Sequence, residues 1–182
     1  MRTGCSSLEP GGEAPIMRPA AVKDLAYELQ LLIGADEIVS FIEAHDSEST
    51  SDADRFGNLV NYFKDSVYLH SRNLLNALTN EYLTEIGPIP SCIRSEQFGQ
   101  IKKPLERYVS HINQARDQRG ESNLTSDGRH LNEYTHDLTS EAQRCWSEWV
   151  EATHGRELQQ HLDTAIKSAQ NDCTKLQQLM KG

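Results

Sequence analysis

The sequence predicts an all-α protein, an up-and-down bundle of about five helices. Five segments of the 182-residue chain carry apolar residues at the three- and four-residue spacing of a buried helix face. No segment alternates polar and apolar residues or carries a run of β-branched residues, as strands do. A polar stretch rich in Ser, Asp and Glu, Asp46 to Asp54, separates the first two segments, and Gly- or Pro-containing stretches separate the others. The length suits one domain with a sizeable core.

The composition excludes several classes of protein. The net charge is -9, so the body as a whole should repel nucleic acid and anionic membranes. No run approaches the roughly 20 apolar residues of a membrane span, and the N-terminus lacks the apolar region of a signal peptide. The widely spaced cysteines contain no C-x-x-C pair, which predicts free thiols in the cytoplasm. These are Cys5, Cys92, Cys145 and Cys173.

The chain is expected to comprise a tail and one helical domain. Residues 1–18 are rich in Gly, Pro and Ser and have no period, which predicts a disordered tail. Either Met1 or Met17 could be the true start. Residues 19–182 form the domain, with a first helix from Pro19 to about His45. Gly34 is expected to kink this helix or to split it in two.

The second predicted helix, from Phe56 to Ile86, has two apolar sides. One is a core stripe of Phe56, Leu59, Val60, Phe63, Val67, Leu74 and Leu78, with His70 in its middle. The opposite side carries Tyr62, Tyr68, Leu69 and Leu75. The patch of Tyr68, Leu69 and Leu75 is too apolar to stay exposed, so we expect it to be buried in the bundle or in a homodimer. Arg72 projects from this side and requires an acid, a second subunit or a bound anion as partner.

Three further helices complete the predicted bundle. Pro104 suits the first turn of a third helix and Gly120 the position after its end. Residues 95–100 are predicted to form a separate helical turn. The fourth helix should run from about His130 to Thr153, and Gly155 separates it from the fifth. Cys145 and Cys173 lie on the apolar stripes of these last two helices and are predicted to be small buried residues.

The third helix is the only locally basic segment of the sequence. Residues 102–119 hold five basic and two acidic residues, a local charge of +3 against -12 elsewhere. A His and an Arg that meet at a phosphodiester would suffice for metal-independent RNA cleavage, because one moves a proton while the other stabilises charge on phosphorus. The alternatives are structural: His70 as a hydrogen-bonded core histidine, and Arg107 with His111 as a solvated helix face. Arg116 could instead pair with an acid or with terminal carbonyls.

The sequence predicts no metal site and no cofactor. It has no Gly-rich phosphate loop, no H-E-x-x-H and no G-x-S-x-G. Histidines on the last two helices lack ligand spacing with carboxylates on one face. These are His130, His136, His154 and His161.

Two stretches resemble the HEPN superfamily of helical bundles. They are YLHSRNLLNAL (68–78) and RYVSHINQAR (107–116). They are most similar to the branch of abortive-infection and related defence proteins, which pairs an H-x-R-N-L helix with a later H-x4-R helix. The resemblance implies a helical homodimer. Many such proteins are metal-independent ribonucleases of toxin–antitoxin, phage-defence or RNA-processing systems, and others are inactive binding domains.

The resemblance implies a role for six residues. His111 and Arg107 would be catalytic, with His111 transferring the proton; Arg72 and Arg116 would bind phosphate, and His70 and Asn73 would support the site. The family's active motif places His four to six residues after an Arg and polar residue. Here positions 77–79 are Ala, Leu and Thr, and three residues separate Arg107 from His111. The alternative is therefore a non-catalytic helical module that binds another protein.

Overall fold

A computed structural model describes residues 18–48, 59–79, 89, 93–110, 129 and 131–181. These residues form five α-helices and one short 3-10 helix, without a strand in the described ranges. The helices are α1 (Pro19–Glu48), α2 (Leu59–Thr79), α3 (Glu96–Ser110), the 3-10 helix (Leu131–Tyr134), α4 (Thr135–Thr153) and α5 (Arg156–Lys181). The predicted all-α bundle is confirmed. The predicted tail lies outside the described residues, except for Arg18.

The packing places α4 against all four other α-helices. α1 lies between α2 and α5, and α3 packs beside α2. The buried faces meet in one apolar core, since amphipathic helices are stable only when their apolar stripes are covered. Its largest fully buried side chains include Leu29, Leu32, Ile42, Tyr68, Leu74, Leu75, Leu78, Ile93, Ile101, Leu105, Trp146 and Trp149.

α1 is one continuous helix of 30 residues, so the expected split at Gly34 does not occur. Gly34 faces α5, where a Cβ at this position would make an ordinary contact of 3.9 Å with the Cβ of Ala169. The Sγ of Cys173 on α5 lies 3.4 Å from the carbonyl oxygen of Gly34. Cys145 and Cys173 are free and buried, as predicted.

The predicted start of the third helix is wrong. α3 begins at Glu96, and Pro104 lies inside it. Ser95 caps the helix, because its Oγ accepts a hydrogen bond of 2.8 Å from the backbone N–H of Phe98. Phe98, Ile101 and Leu105 then form one buried stripe across the proline. This cap and stripe outweigh the cost of an interior proline, roughly 3 kcal/mol.

A cluster of charged side chains anchors the start of α3 to α4. Arg144 on α4 donates hydrogen bonds to Glu141 and to Glu148, and it donates a bond of 2.9 Å to the carbonyl oxygen of Arg94. Burial alone would raise the pKa of Glu141, but hydrogen bonds from Arg144 and Ser95 hold it below its usual value. The cluster therefore keeps its charges and holds the start of α3 in place.

Gly155 separates α4 from α5, as predicted, but the predicted start of α4 is wrong. The 3-10 helix precedes α4, so the α-helix begins at Thr135 rather than near His130. His154 ends α4 in the left-handed conformation, with φ of 50° and ψ of 34°. Gly155 fits a crowded position, because a Cβ there would lie 3.1 Å from the Cδ1 of Leu158.

Candidate phosphate-binding site at the α2–α3 junction

The predicted site residues of α2 lie on different sides of the helix. Successive residues turn by about 100°, so the side chains of His70 and Arg72 are about 200° apart. His70 and Asn73, three residues apart, share the side that contacts α1. Arg72 shares the other side with Tyr68, one turn before it, which contacts α3. The fold therefore does not bring His70 and Asn73 together with Arg72.

His70 joins α2 to α1. Its Nδ1 lies 2.7 Å from Oε2 of Glu28, and Asn73 donates a hydrogen bond of 3.3 Å to the same oxygen. Because an ionised carboxylate only accepts hydrogen bonds, we assign the proton to Nδ1 of His70. The His70 side chain is only 13% exposed. The predicted hydrogen bond and near-burial of His70 are observed, while its structural rather than catalytic role stays a prediction.

Two tyrosines fasten α3 to the other side of α2. The hydroxyl of Tyr108 on α3 donates a hydrogen bond of 2.6 Å to Oδ1 of Asp65. The rings of Tyr108 and Tyr68 meet edge to face, with centroids 5.0 Å apart. Burial raises the pKa of Tyr68, and nearby Tyr108 and Asp65 raise it further, so its hydroxyl stays protonated at neutral pH. These contacts fix the position of α3 on α2.

Arg72, a predicted phosphate ligand, has a nitrogen that makes no hydrogen bond to the described part of the chain. Its side chain is half-buried, and its Nε is closed off from solvent without a hydrogen-bond partner among the described residues. The predicted acidic partner is not found in that part of the chain either. A buried donor without a partner is unfavourable by about 1–3 kcal/mol. Because Nε itself is closed off, an anion from outside could accept only from the terminal nitrogens of the guanidinium.

Arg107 is the one predicted site residue on α3 that the structure describes. It directly precedes Tyr108 and is exposed. Lys103 is also exposed, whereas the Nζ of Lys102 lies 5.8 Å from the ring centre of Phe98 and 4.0 Å from Glu106. The Tyr108 contacts thus hold the basic end of α3 beside the Arg72 side of α2. His111 and Arg116, the other predicted site residues, lie outside the described residues.

The apolar patch predicted on α2 is covered only in part. Tyr68 and Leu75 are fully buried within the bundle, which confirms that version of the prediction for them. Leu69 is 40% exposed and Tyr62 is 64% exposed. α3 covers the stripe that contains Tyr68, but not the neighbouring stripe that contains Leu69. Burial of Leu69 in a homodimer stays a prediction.

Sequence reasoning missed the residues that position this region. Glu28 lies 42 positions from His70, and Tyr108 lies 43 positions from Asp65. The sequence shows Glu28 and Tyr108 only as polar groups beside an apolar stripe, which does not identify their partners. The described residues contain no group of three or more His, Cys, Asp or Glu side chains that could hold a metal ion. Within the same residues, no helix combines the length and apolarity needed to cross a membrane.

No protein-family model matches this chain, and no curated protein or solved structure matches it either. The class of the protein rests on its fold, which is an all-α helical bundle. Membership of the HEPN superfamily stays a prediction that rests on the two motifs.

Proposed function

We propose that this chain is a HEPN-like cytoplasmic protein that binds RNA at the α2–α3 junction and acts in a defence or toxin-type system. The observation that carries the proposal is Arg72, a half-buried arginine for which the described part of the chain supplies no acidic partner. A guanidinium presents several donors in a fixed planar fork and binds phosphate oxygens bidentately. Arg107 on α3 is exposed and directly precedes Tyr108, so it is the nearest basic residue in the sequence to the α2–α3 contact.

The charge distribution limits the strength of this binding. Residues 102–119 carry +3, whereas the rest of the chain carries -12. Attraction to phosphate is therefore local and is opposed by the body of the protein. We expect weak binding that falls steeply with salt, because basic residues release counterions from the phosphates on binding.

Cleavage would use His111 and Arg107. His111 takes the proton of a ribose 2′-hydroxyl, whose oxygen attacks the adjacent phosphorus to form a 2′,3′-cyclic phosphate. The bond from phosphorus to the 5′-oxygen breaks, and that oxygen takes a proton from water. Arg107, with Arg72 and Arg116, stabilises the negative charge that develops on the phosphate oxygens. This route needs no metal ion.

A time course on a mixed RNA pool with chelator present tests the proposal. His111→Ala should abolish cleavage and leave binding mostly intact, since one neutral imidazole contributes little to phosphate affinity. Arg72→Ala and Arg107→Ala should weaken both binding and cleavage. Lys167→Ala, which removes an exposed cation of α5, is the matched control and should change neither. Equal cleavage by wild type and His111→Ala would indicate a contaminating nuclease and remove the case for an enzyme.

A second candidate function is protein association without catalysis. It is favoured by the exposure of Leu69 and Tyr62, two large apolar side chains on one side of α2. Burial of such side chains against a second copy of the chain would be favourable. Light scattering of the wild type and of Leu69→Glu tests the homodimer. A wild type that is monomeric at tens of micromolar would reject it, and a dimer that Leu69→Glu dissociates would support it.

A further inference from the structure

An exposed aromatic ring lies near the proposed phosphate site, on the same helix. Tyr62 and Leu69 are seven residues apart on α2 and therefore share one stripe. This stripe borders the one that contains Arg72, because Leu69 and Arg72 are three residues apart and are surface neighbours. The Tyr62 side chain is 64% exposed, so the bundle leaves most of it in solvent.

We infer that Tyr62 is a stacking platform for a base of single-stranded RNA whose phosphate is bound by Arg72. The inference rests on the proposed function and names the form of RNA that the site takes. Tyr62 and Arg72 are ten positions apart, or about 15 Å along the helix, which a few nucleotides can span. Leu69 lies between them and offers apolar surface to the strand.

The charges along α2 determine which end of the site binds the base and which end binds the phosphate. Asp65, one turn after Tyr62, holds its carboxylate in place through the hydrogen bond from Tyr108. A carboxylate repels phosphate, so the backbone of the strand is disfavoured at the Tyr62 end. An uncharged base can lie there, while Arg72 attracts the phosphate at the other end. The helix thus separates a base position from a phosphate position.

The arrangement favours single strands over duplexes. In an RNA duplex the bases stack on one another and their faces are not available to a protein ring, whereas in a single strand they are. Stacking on an aromatic side chain strengthens binding by about tenfold or more per base, with little dependence on sequence. A single tyrosine next to a few cations is therefore expected to give weak but strand-selective binding.

The experiment compares the affinity for a short mixed-sequence single-stranded RNA with that for the same RNA annealed to its complement. Tyr62→Ala should weaken binding to the single strand by about tenfold or more and leave duplex binding unchanged. Tyr62→Phe keeps the ring and should bind as the wild type does. Tyr27→Ala is the matched control, because Tyr27 on α1 is 59% exposed and should not affect binding.

The outcomes separate this inference from the proposed function. Wild-type affinity of Tyr62→Ala for the single strand would overturn the inference, while loss of binding in Arg72→Ala would still support the proposed function. Equal losses in Tyr62→Ala and Tyr27→Ala would also overturn it. A wild type that binds neither RNA would reject both. A change of oligomeric state in Tyr62→Ala, with unchanged RNA affinity, would assign the ring to protein association instead.

Discussion

The carboxylate of Asp36 on α1 lies 2.8 Å, through Oδ2, from Nδ1 of His136 on α4. The Asp36 side chain is only 6% exposed, whereas the His136 side chain is 77% exposed. The buried carboxylate of Asp36 is thus hydrogen-bonded to a histidine that is itself mostly in solvent. Burial raises the pKa of Asp36, and the interaction with His136 opposes that rise in part.

Removal of the partner should destabilise the bundle. His136→Ala leaves the Asp36 carboxylate buried without its hydrogen bond, and we expect the free energy of unfolding to fall by about 1–3 kcal/mol at neutral pH. Urea denaturation measures the change. The same substitution in an Asp36→Asn background, where no charge is buried, should cost less. Equal losses in both backgrounds would show that His136 acts independently of Asp36.

Asp36 should also give stability a specific pH dependence. Its pKa is raised in the folded state above the ordinary value of 3.8, so the folded protein binds this proton more tightly than the unfolded chain does. The contribution of Asp36 to stability is therefore fully present below about pH 4 and is lost as the pH rises through its raised pKa. Unfolding free energies of wild type and Asp36→Asn across this range measure it. The free energy of unfolding of the wild type should fall relative to that of Asp36→Asn as the pH rises. A constant difference between the two proteins would contradict the prediction.

His70 should act on stability rather than on chemistry. His70→Ala removes the hydrogen bond to Glu28 and should lower the free energy of unfolding by about 1–3 kcal/mol. Asn73→Ala, which removes the longer and more exposed bond to the same carboxylate, is the control and should cost less. Thermal melting and RNA cleavage are measured side by side. Unchanged melting together with lost cleavage would assign a catalytic role to His70.

His154 offers a stabilising substitution. Its backbone φ of 50° lies in the left-handed region, which costs a residue with a Cβ roughly 1–2 kcal/mol. His154→Gly removes this cost but adds freedom to the unfolded chain, so we expect a net gain of about 0.5–1 kcal/mol. His154→Ala keeps the Cβ and should give no such gain. If both variants melt as the wild type does, the left-handed conformation carries no appreciable strain.

The periodicity of apolar residues was sufficient to predict the all-α class. It also predicted the apolar stripes of α4 and α5, where Cys145 and Cys173 are buried as expected, and the break at Gly155. These features are local, since a helix stripe and a glycine between two helices are written in neighbouring residues. Pro104 misled the same reasoning, because the cap at Ser95 and the buried stripe from Phe98 to Leu105 outweigh the preference of proline for a first turn.

Only the tertiary structure decided which side of each helix meets which neighbour. On α2, His70 faces Glu28 of α1, whereas Arg72 lies on the side that meets α3, although two positions separate them in the sequence. The buried carboxylate of Asp36 likewise finds its partner 100 residues away. Periodicity identifies an apolar stripe but not the helix that covers it, because that choice depends on how all five helices fill one core together.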